Sequence, residues 1–495
     1  MRTNSPVYVI LVGLFGSQRP MIPLKRPTYA LLLASLLMVT VTSGFAQYSS
    51  GIGARGMGTS SGVGGVGSGP RGGFAPASTG ATRFQGSTPS INRPSTGGQR
   101  LAQPLNMMRV GGYNIKAGPV QMSFDAGMGV EYNTNVNLSE DNPKGSLVLS
   151  PRVGMNLYWP ITRINSVSLD LGLGYNYYLN DPDLGGQYLL ISPATELMFN
   201  IFIQDFIITI YERPSITENP TDDPTINDVV NYTFFNNVAG IDVIWDLNDL
   251  QFGFGYANQI RYSLNDDYNN QDTVSNQIYA NASAMVQPFL RVGVEGSVYN
   301  TYYFDERPFR TGGGNGTVTE NTSNLNNSVG GSAGLFAMGN ISRFTSWSAG
   351  VGWQITQFNE SNNPLNTGNA SNPYFYFGVA NELNRFYTHS LSASFESEPS
   401  YESNFVQAFN VGYSFNWILI RNWSLGGGAF YQNGTESPGP ESEDFNRVGA
   451  NVGLGYQVTK NLVASLYYSV ITKGSTVLAD SYNQQIFGLN LNYNF

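Results

Sequence analysis

From Val120 onward the chain alternates between apolar and small or polar side chains, one residue at a time. In 120–132, Val120, Met122, Phe124, Ala126, Met128, Val130 and Tyr132 share one parity, while Gln121, Ser123, Asp125, Gly127, Gly129 and Glu131 share the other. Successive side chains of a strand point to opposite faces, so the pattern predicts a strand with one greasy and one polar face. It recurs in 147–159, 166–178, 250–262 and 448–458, and again in the last ten residues. There Phe487, Leu489, Leu491, Tyr493 and Phe495 alternate with Gly488, Asn490, Asn492 and Asn494. Soluble strands usually run about five or six residues, whereas a tilted membrane strand needs about 9–11. Segments of this length place the apolar face against lipid and the polar face toward a watery lumen.

The links between segments alternate in length. Short ones fall near Ile161–Asn165, Gln204-Asp205, Leu247–Asp249, Gln287–Phe289, Ile341–Phe344, Leu383–Thr388, Leu419–Asn422 and Thr459-Lys460. Longer polar ones occupy 133–145, 179–187, 214–229, 264–273, 305–325, 359–372, 397–403, 433–443 and 473–480. Short periplasmic turns and long external loops are the habit of outer-membrane barrels. The expected fold is all-β, a transmembrane antiparallel up-and-down barrel of 18 strands over 120–495, with 16 as the alternative because 204–213 and 387–396 alternate weakly. Closure is required, since an open edge in lipid leaves backbone groups unsatisfied. Trp159, Trp245, Trp347, Trp417 and Trp423 all sit beside short turns. Amphipathic rings gather at membrane interfaces, so these five are expected to form a periplasmic girdle.

Composition agrees with an exported barrel. Charged residues make up 12% of the chain, about half the globular norm, and Asn, Ser, Thr, Gln and Gly supply the polarity. The chain has no cysteine, which removes disulfides and thiolate metal sites. Lys25 and Arg26 precede the apolar run from Ala30 to Val41, and Ser43-Gly-Phe-Ala46 follows. This reads as a secretory signal peptide over 1–46, cleaved after Ala46, with translation expected to start at Met21. Residues 47–119 carry basic residues and no acid, whereas the 14 basic and 34 acidic residues from Val120 onward leave that part at −20. The Gly/Ser/Pro-rich stretch is expected to be a disordered basic periplasmic tether, with plugging of the acidic barrel as an alternative. Gly51-Ile-Gly53-Ala-Arg-Gly56 and Gly58-Thr-Ser60-Ser-Gly62 match a dinucleotide fingerprint and a nucleophile elbow in spelling alone. Neither has the strand before it and the helix after it that those motifs need.

Gly127-Met-Gly-Val-Glu-Tyr-Asn-Thr-Asn-Val-Asn-Leu-Ser-Glu-Asp-Asn-Pro143 opens the barrel with a strand and an Asn-rich loop; Leu149-Ser-Pro-Arg-Val-Gly154 and Leu171-Gly-Leu-Gly-Tyr-Asn-Tyr-Tyr178 follow. This series resembles the outer-membrane β-barrel porin family that includes exopolysaccharide-secretion barrels. Thr134-Asn135 stands where family members usually have Asp-Asn. The resemblance implies a porin, with polysaccharide transit as one duty. The ending, Phe487, Leu489, Leu491, Tyr493 and Phe495, also resembles the C-terminal signal read by the outer-membrane barrel assembly machinery.

Candidate chemistry is sparse. The single histidine, His389, lies beside a short turn and is expected to be an interfacial side chain. Acidic groups recur in loops, at Glu218 with Asp222, Asp223 and Asp228, at Asp266-Asp267, and at Glu441 with Glu443 and Asp444. They are expected to be solvated or to share ions with lipopolysaccharide. No catalytic, cofactor or metal site is expected, and nucleic acid is not an expected partner. By strand parity the candidate pore-lining charges are Asp125, Glu131, Arg152, Asp170, Glu196, Asp242, Arg261, Arg291, Glu295, Glu396 and Arg447. Rings of charge bias ion selectivity, and this set implies mild cation preference unless the charges pair and brace the wall. Inward Tyr158, Tyr178, Tyr279 and Tyr467 are candidates for stacking on sugar rings. The leading expectation is a passive porin in the bacterial outer membrane, passing small polar solutes or saccharides. A loop-sealed display barrel and a polysaccharide-export barrel are the alternatives, and the oligomeric state is open.

Overall fold

The computed structural model describes residues 113–495 apart from 181–187, 219–223, 230, 305–306, 313–317, 324–326, 360–368, 401–402, 421 and 438–441. The signal peptide, and the tether as far as residue 112, lie outside the described residues. Eighteen wall strands follow one another around a single sheet. They are β1 (Val120–Asn133), β2 (Ser146–Pro160), β3 (Ser166–Gly174), β4 (Glu196–Ile203), β5 (Phe206–Thr217) and β6 (Phe234–Leu247). Next come β7 (Leu250–Ser263), β8 (Thr273–Gln287), β9 (Leu290–Tyr303), β10 (Ser328–Ser342), β11 (Thr345–Phe358) and β12 (Ala370–Asn384). The last six are β13 (Tyr387–Pro399), β14 (Phe405–Ile420), β15 (Trp423–Glu436), β16 (Asp444–Gln457), β17 (Leu462–Ser475) and β18 (Tyr482–Asn494).

Every neighbour is antiparallel, and β18 returns to β1 in register from Asp125↔Asn494 to Asn133↔Ile486. The part of β1 that β18 does not reach is covered from the other direction. Ile115–Ala117 folds back through Gly118 and Pro119 and pairs Ile115↔Met122 to Ala117↔Val120. Gly118 takes φ 61, a left-handed conformation that glycine reaches without a Cβ penalty. Residues 113–119, the end of the predicted tether, therefore belong to the folded part. With Phe495 N–H donating to Phe124 O at 3.1 Å, the seam has no unpaired edge at that point.

The weakly alternating segments are full strands, β5 and β13, which sets the count at 18 rather than 16. Several predicted loops are shorter than the sequence implied because strands protrude beyond the apolar band. β5 runs to Thr217, β13 to Pro399, β15 to Glu436 and β17 to Ser475. The 305–325 link contains its own two-stranded ribbon, Arg307–Gly312 with Val318–Ser323. One wall position is broken: Leu190–Ile191 and β4 are separated by Ser192–Thr195, where Pro193 has no N–H to give the ladder. Side chains mend the break, the Thr195 hydroxyl accepting the Gly172 N–H at 3.2 Å. The tight turn at Asn248-Asp249 carries Asn248 at φ 67, suited to a two-residue hairpin.

One face of the sheet carries the exposed apolar side chains, including Val153, Ile278, Val298, Leu335, Val351 and Leu466. Phe487, Leu489, Leu491, Tyr493 and Phe495 are all exposed on this outer face. So are Trp159, Trp245, Trp417 and Trp423 at the short-turn end, with Trp347 half-exposed beside them. At the opposite rim the outer face turns aromatic and then polar: on β15 Tyr431 is followed by outward Asn433 and Thr435, and the Tyr431 hydroxyl donates to Asn446 at 2.8 Å. Strands with an exposed apolar outer band, closed edge to edge, form an outer-membrane-type transmembrane barrel.

Candidate functional site

The inner face is built largely by aromatic rings laid over glycines of the next strand. A Cβ at Gly255 would overlap the Tyr279 ring, one at Gly488 the Tyr467 ring, one at Gly352 the Tyr374 ring and one at Gly434 the Phe445 ring. Glycine is required there because the ring occupies the volume a side chain would take. Tyr279, Tyr299, Tyr374, Phe336, Phe430 and Phe445 are consequently buried. This corrects the sugar-stacking expectation for Tyr178 and Tyr279, whose rings are buried in the wall and offer no free face.

All eleven candidate charges fall on the inner face by alternation, and the structure gives most of them wall partners. Arg152 donates through Nη2 to Asn492 Oδ1 at 2.7 Å. The Tyr467 hydroxyl donates to Glu131, and that of Tyr279 to Asp242. Glu196 takes Arg213 at 2.5 Å. Glu295 accepts from Tyr374 at 2.9 Å and from Tyr376 at 3.0 Å. Arg261 donates to the Tyr232 hydroxyl at 2.7 Å and lies over the Phe234 ring at 4.2 Å. Arg291 reaches Asn248 O at 3.1 Å, and Arg447 the Gln432 side chain at 3.1 Å. Asp125 sits in the space left by Gly154, and Glu396 is buried on β13. Asp170, half-exposed on β3, stands opposite Glu196 in the ladder.

The inner face changes along the barrel axis. Near the short turns most of its side chains are half-exposed, as at Gln121, Ser123, Asn156 and Tyr158 on β1 and β2, although Ser166 and Ile244 are buried. Toward the long loops they become buried, as at Ser275, Tyr299, Gln354, Gln432 and Gln484. Loops fold inward at that end. Leu138 in the 134–145 loop is 0% exposed and packs on Phe430, Ile471 and Tyr482 of the inner wall. It holds φ 52, a left-handed backbone that costs a residue with a Cβ about 1–2 kcal/mol. Asn135 fastens the loop base, donating to Ser139 O at 2.8 Å and Asn483 O at 3.1 Å while its own carbonyl accepts from Gln484 at 2.8 Å.

A second loop meets the first. The Asp228 N–H donates to Leu138 O at 3.2 Å, and the Val229 N–H to Asn137 O at 2.9 Å. This β5–β6 loop has a small core of its own, Ile226, Val229 and Tyr232 with Phe234 and Tyr268. Tyr232 and Tyr268 meet edge to face at 5.2 Å. Two loops from distant wall strands thus join, and the first seats Leu138 on inner-wall apolar side chains.

Beyond the wall side chains that seat Leu138, at the loop ends of β15 and β17, lies a buried charged cluster. Lys473 donates to Glu443 at 2.6 Å, both side chains 0% exposed, and Lys473 stands over the Phe445 ring at 5.2 Å. The Glu443 N–H donates to Glu436 at 3.2 Å, the Ser475 hydroxyl donates to Glu443, and the Ser400 hydroxyl to Glu436. Because outward positions above Tyr431 are polar, the end of β15 and these loops lie outside the bilayer. Burial pushes the Glu436 carboxyl up to about 7. Burial also raises Glu443 and Asp480, with Lys473 opposing the rise in both. Glu443 is therefore not the solvated loop acid the sequence implied.

Sequence reasoning missed Arg213, Lys473 and Glu436 as inner-face charges, and Leu138 as a loop anchor. Extending each alternation past the apolar band would have found the first three: Lys473 keeps the parity of Ser469 and Ile471, both buried inward. His389 lies on the outer face of β13, its ring 5.5 Å from Tyr387 and 6.0 Å from Tyr413. Among the described residues no group of three or more His, Asp or Glu is arranged to hold a metal ion.

No family model matches the chain, and no curated protein does. Among solved structures it is similar to a BenF-like porin from Pseudomonas fluorescens Pf-5, with 9% identity, 76% of this chain and 99% of that chain covered, and a TM-score of 0.44. It is also similar to OccK2 (OpdF) of Pseudomonas aeruginosa in complex with glucuronate, with 9% identity, 76% and 98% covered, and a TM-score of 0.42. A third is the outer membrane protein OpdK of Pseudomonas aeruginosa, with 12% identity, 76% and 99% covered, and a TM-score of 0.41.

Proposed function

We propose that this chain is a channel of the bacterial outer membrane that lets small polar solutes, saccharides among them, diffuse through a lumen narrowed on the loop side. The observation that carries this reading is the graded inner face, mostly half-exposed and polar near the short turns and buried where the two loops meet. A barrel of about 18 strands is wide enough to leave an aqueous path, so loops that reach the inner wall determine what passes. The surrounding lipid and lipopolysaccharide meet the exposed outer band, with the five tryptophans as its periplasmic girdle. The outward aromatic pattern of β18 is the element the assembly machinery would read.

Selectivity is read as mildly cationic, through the inner-face acids that are themselves half-exposed, Glu131 and Asp170. Reversal potentials across a salt gradient test this with Glu131→Gln and Asp170→Gln, which should reduce cation preference. Glu295→Gln should change it least, because Tyr374 and Tyr376 already hold that carboxyl. Unchanged selectivity in all three variants would assign these acids to bracing the wall. The packed loop junction favours one second reading, a barrel sealed on its outer side whose loops make the useful contacts. Solute uptake into proteoliposomes separates the two, because a sealed barrel admits no small sugar.

A further inference from the structure

We propose that the buried cluster of Glu436, Glu443, Lys473 and Asp480 is a pH-operated latch that holds the two joined loops against the inner wall at mildly acid pH and loosens them above neutrality. The geometry joins the cluster to both loops. Glu443 belongs to the β15–β16 link, Ser400 to the β13–β14 link and Asp480 to the β17–β18 link. Asp480 is a near neighbour of the Asn227 side chain of the β5–β6 loop. That loop carries Leu138 through the two backbone bonds of Asp228 and Val229. Leu138 in turn packs on Ile471, two residues from Lys473 on the same inner face of β17.

The charges facing this point come from every strand packed against it. Glu436 ends β15, Arg447 stands opposite Lys473 in the β16–β17 ladder, and Asp228 lies at the loop contact. Among the described residues two cations therefore meet three buried acids, with a fourth acid nearby. Full ionisation leaves an excess of buried negative charge, which is unfavourable away from water. Releasing the loops returns the acids to solvent and to ordinary carboxylate behaviour.

The direction of the pH effect follows from linkage. All three acids are raised in the docked state, so docking takes up protons and is favoured as pH falls. For Glu436 the window runs from the ordinary value of 4.5 to about 7. Stabilisation of the docked loops is fully present below that window and lost as pH rises through it. Taken alone, this group changes the docking equilibrium by about 10- to 100-fold between about pH 5 and pH 8.

The chain contains no cysteine, so single thiols report on the loops directly. Full-length protein refolded into phospholipid vesicles, carrying Leu138→Cys or Ile226→Cys, is reacted with a membrane-impermeant maleimide from pH 5 to pH 8. Rates are divided by that of Glu140→Cys, an exposed position in the first loop, which removes the intrinsic pH dependence of thiol reactivity. The expected result is a rise of about tenfold or more in both ratios across this range, and loss of most of that rise in a Glu436→Gln background. Ratios that stay flat with pH while the barrel remains folded would overturn the latch. So would a Glu436→Gln background with an unchanged profile. The readout is independent of conduction, so the latch and the channel reading can fail separately.

Discussion

The outer face is tested most sharply by placing one arginine at two depths on the same strand. On β9, Val294 and Asn300 share the outward parity, and Val294 is 52% exposed. A strand rises about 3.3 Å per residue and tilts about 40° in such barrels, so the stretch from Leu290 to Asn300 climbs about 25 Å. Val294 then lies near the bilayer midplane and Asn300 at the outer boundary beside Tyr302. Arginine on the lipid face costs about 2–4 kcal/mol at the midplane and about 0–1 kcal/mol near an interface. Val294→Arg should therefore destabilise the folded barrel by about 2–3 kcal/mol more than Asn300→Arg, a factor of roughly 30 to 150 in the folding equilibrium. Guanidinium titration in phospholipid vesicles, followed by tryptophan fluorescence, measures both variants against the parent. Equal costs, or no cost at Val294, would mean that this band does not face hydrocarbon and would refute the placement of the barrel in lipid.

Other consequences follow from the inner wall and the loops. Gly255→Ala inserts a Cβ into the buried Tyr279 ring and should cost about 1–3 kcal/mol; the Tyr279→Ala background should remove most of that cost in the same titration. Tyr374→Phe leaves Glu295 with one tyrosine donor, a loss of about 1–3 kcal/mol for a buried acceptor by equilibrium unfolding. Leu138→Ala opens a cavity at a fully buried site and should weaken loop docking by about 2–5 kcal/mol, seen as faster proteolysis within 134–145 of an otherwise intact barrel. Lys473→Met strands Glu443 in the same pocket and should loosen the loops by about 3–5 kcal/mol at pH 8. Because protonation discharges Glu443, whose carboxyl is already raised by burial, that deficit should shrink as pH falls, measured by the same proteolysis.

The wall was legible because lipid enforces it. Alternation from Val120 to Tyr132, or from Phe487 to Phe495, is needed for one face to meet hydrocarbon, and a slip of one residue would invert it. The tryptophans beside short turns were legible for the same reason. Past the apolar band that constraint ends, and there the reading failed: β15 continues to Glu436 and β17 to Ser475 with no lipid to impose a pattern. Pairing was hidden as well. Nothing in the order Glu196 then Arg213 says that the two meet across β4 and β5, and the Tyr374–Glu295 bond spans intervening strands. Leu138 was obscured by its surroundings, one of two apolar residues, with Val136, among Asn133, Asn135, Asn137 and Ser139, and only the folded loop shows that it points inward. Glycines that looked like ordinary small inward residues proved to be seats for aromatic rings, which is why Tyr279 is unavailable for stacking on sugars.

Single-channel recording of the refolded chain in a planar bilayer, beside Leu138→Ala, is the most direct test of a channel narrowed by its own loops. The account predicts discrete conductance steps for the parent and larger steps for Leu138→Ala, where the constriction has lost its anchor. Silence in both, with both barrels folded and inserted, would contradict it and leave a sealed barrel in its place.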